Sequence, residues 1–115
     1  MQMPHPPADQ IALPAVLVAL GDPTRLAIVR ELAKREAPMN CSMFLGLTSK
    51  TNLSYHLAKL REAGITRTKA VGTSKFTTLR RDDLESRFPG LLDSVIAAAV
   101  TDTALPPLDN KPANG

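Results

Sequence analysis

Residues 49–65 read Ser-Lys-Thr-Asn-Leu-Ser-Tyr-His-Leu-Ala-Lys-Leu-Arg-Glu-Ala-Gly-Ile. Leu53, Leu57 and Leu60 stand at i, i+4 and i+7, one stripe of an α-helix. At about 100° per residue, Thr51, Asn52, Tyr55 and Lys59 fall on the opposite side. Thr48 or Ser49 can cap the start, and Gly64 can end the helix as a C′ glycine. One side is therefore apolar and docks on a core. The other offers hydroxyl, amide, phenol and ammonium groups to something outside it.

Working outward, Asn40 can cap a short helix through Leu45 that ends near Gly46. The two helices have helix-turn-helix spacing. Upstream, Asp22-Pro23 places an N-cap before a proline at the first helical position, and Leu26, Val29, Leu32 and Ala33 continue the pattern to Arg35. Pro38 breaks that run. Ile11 to Leu20 is almost wholly apolar, interrupted by Pro14 and stopped by Gly21. Downstream, Ile65–Ala70 and Lys75–Leu79 are strand-like around a Val71-Gly72-Thr73-Ser74 turn, which predicts a β-hairpin. Asp82-Asp83 favours a helical turn. Pro89 opens a last helix to about Thr101, with Leu91, Leu92, Val95, Ile96, Ala99 and Val100 on one side. The expected fold is mainly α: a winged helix-turn-helix of about five helices with a two-stranded β-hairpin wing. It should occupy residues 8–103, between a flexible proline-rich tail (1–7) and a disordered tail (104–115).

A chain of 115 residues is one domain's worth. Hydrophobic residues make up 43% and aromatics only 3%, with no Trp, so the core must be aliphatic. The lone Cys41 excludes an intrachain disulfide and any zinc site of several cysteines from one chain. No apolar run reaches the ~18–20 residues needed to cross a bilayer. Met1–Gln10 has neither positive charge nor a continuous apolar stretch, so no secretory signal is expected. A soluble cytoplasmic protein without membrane contact is the expectation. Enzymatic function is not expected, because no Ser/His/Asp spacing, no glycine-rich phosphate loop and no paired carboxylate in a credible cleft occurs.

Charge position is more informative than the total of +3. Residues 49–81 hold eight basic side chains and one acid, Glu62, for a net +7. The rest holds six basic and ten acidic residues, for −4. One helix and one hairpin thus concentrate the positive field, the footprint of a protein that neutralises duplex DNA phosphates. The residues expected to meet DNA are Ser49, Lys50, Thr51, Asn52, Ser54, Tyr55, His56 and Lys59 from the helix. From the wing they are Arg67, Lys69, Thr73, Ser74 and Lys75. Thr51, Asn52 and Tyr55 suit base edges, whereas the cations suit phosphates. His56 lies beside the leucine stripe, where packing competes with DNA contact.

Two stretches resemble a known family. Ala19-Leu20-Gly21-Asp22-Pro23-Thr24-Arg25-Leu26 is similar to the start of the second helix in arsenic-repressor (ArsR/SmtB) winged-helix regulators. Ser54 to Ile65 resembles that family's recognition helix. The resemblance implies a homodimer, held by the first and last helices, on a palindromic operator in double-stranded DNA. Those helices are also too apolar for a small monomer's surface, which independently marks an interface. Its expected residues are Ile11, Leu13, Val16, Leu17, Leu20, Leu91, Leu92, Val95, Ile96 and Ala99.

The family's common metal sites are incomplete here. Cys41-Ser42-Met43 has one thiol where arsenic and cadmium sensors have Cys-x-Cys, and the last helix has Asp93 and Asp102 but no histidine. His5 with Asp9 or Asp93, from the same or the partner chain, remains the candidate for a divalent metal effector such as nickel or cobalt. Two alternatives stay open: a metal-responsive (nickel, cobalt or zinc) sensor that needs a second protein to respond to its effector, and a winged helix used for protein–protein contact.

Overall fold

The computed structural model describes residues 4–108. After a 3₁₀ turn at Ala8–Gln10 come α1 (Leu13–Leu20), α2 (Pro23–Arg35), β1 (Met39–Asn40), a 3₁₀ helix (Cys41–Phe44) and α3 (Lys50–Glu62). The hairpin β2 (Thr66–Val71) and β3 (Ser74–Leu79) follows, then α4 (Arg81–Arg87) and α5 (Leu91–Thr101). This is a winged helix-turn-helix, with five α-helices as expected. The sheet has a third strand: the two residues of β1 pair antiparallel with β3, giving the order β1-β3-β2.

Local chemistry sets the helix starts. Asp22 Oδ2 accepts the Arg25 backbone N–H at 3.0 Å, and Pro23 fills the first turn, where its missing donor costs nothing. Ser49 Oγ caps α3 by accepting the Asn52 N–H at 3.2 Å. Asn40 Oδ1 caps the 3₁₀ helix through Ser42 N. Pro14 does not interrupt α1. The helix starts at Leu13, so the proline falls in its first turn, and Ile11 lies outside the helix in extended backbone.

The core is aliphatic apart from Phe44. It joins Ile11, Val16 and Leu20 to Ile28, Val29 and Leu32 of α2, Leu53, Leu57 and Leu60 of α3, then Ile65, Leu84 and Leu92. A close approach of backbone to side chain lies at the end of α3. Gly64 has φ +84, and a Cβ there would stand 2.5 Å from Ile11 Cγ1. The glycine serves both the left-handed turn and the close approach.

Both flanking segments touch the domain where they are described. His5 Nε2 accepts the Thr68 backbone N–H at 3.0 Å, and the Pro6 carbonyl accepts from Arg80 Nη1 at 2.8 Å. The Pro106 carbonyl accepts from Arg30 Nη2 at 2.8 Å, and Leu108 packs on the core. The remainder of the expected tails, residues 1–3 and 109–115, lies outside the described residues.

The structure describes where the residues expected at an interface lie within one protomer. Ile11, Val16, Leu20, Leu92 and Ala99 are buried within the single protomer. α1 and α5 both pack against α2, so each spends one side on its own chain's core. Leu91, Val95 and Ile96 are half-buried, leaving Leu13 and Leu17 exposed. Val18, 72% exposed, and Val100 are further exposed apolar residues.

Candidate nucleic-acid interface

α3 is held by its apolar stripe and by one polar tether. Leu53, Leu57 and Leu60 are buried, while Ser49, Lys50, Thr51, Asn52, Ser54, Tyr55 and Lys59 are all exposed. Tyr55, the chain's single tyrosine, is 56% exposed. The Lys59 ammonium lies 5.3 Å from its ring centroid, and the His56 ring meets it edge-on. The exposed side of α3 therefore offers hydrogen-bonding groups on a rigid helix, of a width that the major groove of B-DNA, about 12 Å across, admits.

His56 is not part of that face. Its side chain is 15% exposed, and Nδ1 accepts from Arg25 Nη1 at 3.1 Å, with Asp22 Oδ2 at 3.7 Å. At about 240° around the helix from Lys50, on 100° per residue, it points back at the start of α2. Ser49 is exposed, but its hydroxyl is engaged as the cap.

The wing separates cations that the sequence reading grouped. The turn has two residues, Gly72-Thr73, with Gly72 at φ +62, and Val71 pairs with Ser74. Lys69 therefore pairs with Phe76, and Lys75 with Ala70. Directly opposed residues share a face and neighbours alternate, so Lys75 lies on the face of Thr68 and Thr77. That face turns toward α3. Arg67 and Lys69 lie on the other face, where Arg67 Nη2 is 3.9 Å from Asp83 Oδ2. Thr73 is exposed at the tip and Ser74 half-buried beside it.

The positive field is also narrower than the count of eight implies. Arg80 is buried, its Nε on Asp83 Oδ2 at 3.0 Å and its Nη1 on the Pro6 carbonyl. Arg81 faces Asp93 at 3.8 Å and the Ala33 carbonyl at 3.2 Å. These two arginines hold the structure together. Sequence reading missed the opposite case, Arg61, which lines the groove between α3 and the wing tip with Lys50, Ser54 and Lys75. The signal was present: at about 100° per residue, eleven residues return Arg61 to nearly the same side of the helix as Lys50.

The metal candidates are not assembled. Asp9 is exposed on the 3₁₀ turn, Asp93 lies by Arg81, and His5 Nε2 is taken up by the Thr68 N–H. Among the described residues, no three His, Cys, Asp or Glu side chains gather into a cluster that could hold a metal ion. Nor, among them, is any helix long and apolar enough to cross a membrane.

Comparison with known proteins agrees with this geometry. A helix-turn-helix domain family matches residues 20–69, from the end of α1 into β2. An uncharacterized HTH-type transcriptional regulator of Bacillus subtilis (strain 168), YceK, is 36% identical over 94 residues, spanning 76% of this chain and 88% of the relative. With a third of the residues shared over nearly the whole relative, and with a capped, outward-facing second helix beside a hairpin wing, this chain belongs to the helix-turn-helix transcriptional regulators.

Proposed function

We propose that the protein is a dimeric, sequence-specific DNA-binding regulator of the ArsR/SmtB type, with α3 in the major groove and the wing on the flanking backbone. One observation carries this reading: the outward side of α3 is predominantly polar and exposed, with Thr51 and Tyr55 central beside a half-buried Ala58 and a Glu62 that pairs with Lys59, and cations at its edges. A helix whose apolar side is already buried has no internal use for such a face. Thr51, Asn52, Ser54 and Tyr55 read base edges, and Lys50, Lys59 and Lys75 hold phosphates. Arg67 and Lys69, on the outer wing face, act on more distant backbone.

The second subunit docks through the apolar residues that α1 leaves bare. Leu13, Leu17 and Val18 are exposed together on a short helix without a charged side chain. Two-fold symmetry then sets the recognition helices about 34 Å apart, one turn of DNA, and requires a palindromic site.

The test is fluorescence anisotropy with a duplex from the region upstream of the protein's own gene and a scrambled duplex, at two salt concentrations. Binding that prefers the upstream duplex and weakens steeply with salt is expected. Binding without sequence preference or salt dependence would overturn the reading.

A further inference from the structure

The groove between α3 and the wing tip has a volume of about 720 Å³, and no carboxylate lines it. Lys50, Arg61 and Lys75 approach it from two elements, with the hydroxyls of Ser54, Thr73 and Ser74 between them. None of the three cations makes an ion pair among the described residues. Arg61 carries the sharpest signal. Its Nε is buried yet has no hydrogen-bond partner. A buried donor left unmade is costly, and native structures rarely tolerate one without a reason. An anionic acceptor seated in the groove would supply the missing bond.

The order of side chains around α3 says which anion fits. At about 100° per residue, going round the helix from Lys50 meets Arg61, Ser54, Ala58, Thr51, Glu62 and Tyr55, then Lys59 opposite Lys50 and Asn52 just beyond it. Glu62 is paired with Lys59 at 3.8 Å. Thr51 and Tyr55 are thus central, with Lys50, Arg61 and Ser54 on one flank and Lys59 and Asn52 on the other. A helix in the major groove has one phosphate strand along each flank. The flank holding Arg61 is the one closed over by Lys75 of the wing.

We infer that this groove seats one sugar-phosphate strand of the duplex, and that Arg61 clasps a backbone phosphate diester there through Nε and its guanidinium fork. The inference rests on the DNA-binding reading and adds a binding residue to it. The guanidinium suits this role because its planar fork matches phosphate oxygens. The contact is independent of sequence, since a phosphate carries no base information.

The test compares wild type with Arg61→Gln and Arg61→Lys on the upstream duplex and on a random 30-bp duplex, across salt concentrations. Each phosphate neutralised contributes about 0.9 to the log–log salt slope. Because a dimer brings two copies of Arg61, Arg61→Gln should lower that slope by about 2 and weaken both duplexes alike, by roughly sixtyfold at 0.1 M salt. Arg61→Lys should keep the slope. In wild type, the Arg61 Nε–H resonance should shift when the random duplex is added. If Arg61→Gln melts as wild type does and binds both duplexes with unchanged slope, the clasp is wrong while the regulator reading stands. If wild type binds neither duplex at low salt, both fall. A site saturated by inorganic phosphate at constant ionic strength, with the duplex slope indifferent to Arg61→Gln, would give the groove to a free phosphorylated ligand and overturn the clasp. Should Arg61→Gln fail to melt cooperatively, Ser42→Asp serves. Ser42 is exposed on the groove wall, outside α3 and the wing. An acid there should weaken both duplexes, and unchanged binding would refute the inference.

Discussion

Arg25 and His56, 31 residues apart, meet at 3.1 Å, the Arg25 Nη1 donating to His56 Nδ1. The same guanidinium donates through Nε to the Ala19 carbonyl at 2.7 Å. One side chain therefore ties the end of α1 and the start of α2 to the middle of α3. The angle at which the recognition helix projects depends on this tether as well as on its leucines.

His56→Ala should accordingly destabilise the fold by about 1.5–3 kcal/mol, the worth of a hydrogen bond to a charged group. Urea unfolding should show a lower midpoint with an unchanged m-value. The salt slope of DNA binding should not move. A lower slope with normal stability would make His56 a phosphate contact instead.

Gly64→Ala should be far more harmful than Gly72→Ala. Both glycines have positive φ, but a Cβ at residue 64 meets Ile11 Cγ1 at 2.5 Å, whereas at residue 72 it meets nothing within 4 Å. Strain alone costs about 1 kcal/mol, and overpacking adds roughly 1–3 more at residue 64 only. In an Ile11→Ala background the penalty of Gly64→Ala should shrink, which a double-mutant cycle of unfolding free energies measures. Equal penalties at the two glycines would contradict the packing described.

Arg80 and Lys75 should part company. Arg80→Met removes the hydrogen bonds to Asp83 and Pro6, which should lower stability by about 2–3 kcal/mol and leave the salt slope alone. Lys75→Ala should do the reverse, leaving stability unchanged and lowering the slope by about 2, one contact from each subunit. Thermal melts and salt titrations on the same two variants separate the roles.

Leu17→Asp should leave the protomer folded and dissociate the dimer, since Leu17 is 49% exposed. Leu92→Asp should instead prevent folding, because Leu92 lies in the core. Sedimentation beside circular dichroism distinguishes the outcomes. A Leu17→Asp variant that keeps the mass of a dimer would remove α1 from the interface.

Features written in local chemistry were legible in the sequence. Asp22-Pro23, Asn40 and Ser49 cap because a short polar side chain satisfies the free N–H groups of the next turn. The three leucines of α3 and the Gly72-Thr73 turn are equally local. Features that depend on distant partners were not. β1 is two residues long and exists only because β3 runs beside it. An eight-residue helix apolar on all sides does not reveal which side its own core takes, so Val16 and Leu20 could not be told from Leu17. Arg80 resembled a surface cation until Pro6 and Asp83 closed over it. Two features of the candidate site were within reach of sequence reasoning. A two-residue turn puts Lys69 and Lys75 on opposite faces, and helical angle puts Arg61 beside Lys50 rather than beside Lys59.

The most direct test of the central claim is the specificity ratio, upstream duplex over scrambled duplex, of Thr51→Ala and Tyr55→Ala at fixed salt. If the outward face of α3 reads base edges, the ratio falls by about tenfold or more, while binding to the scrambled duplex is nearly unchanged. If both variants keep the wild-type ratio, the face does not read DNA, and the assignment of α3 as the recognition helix is wrong.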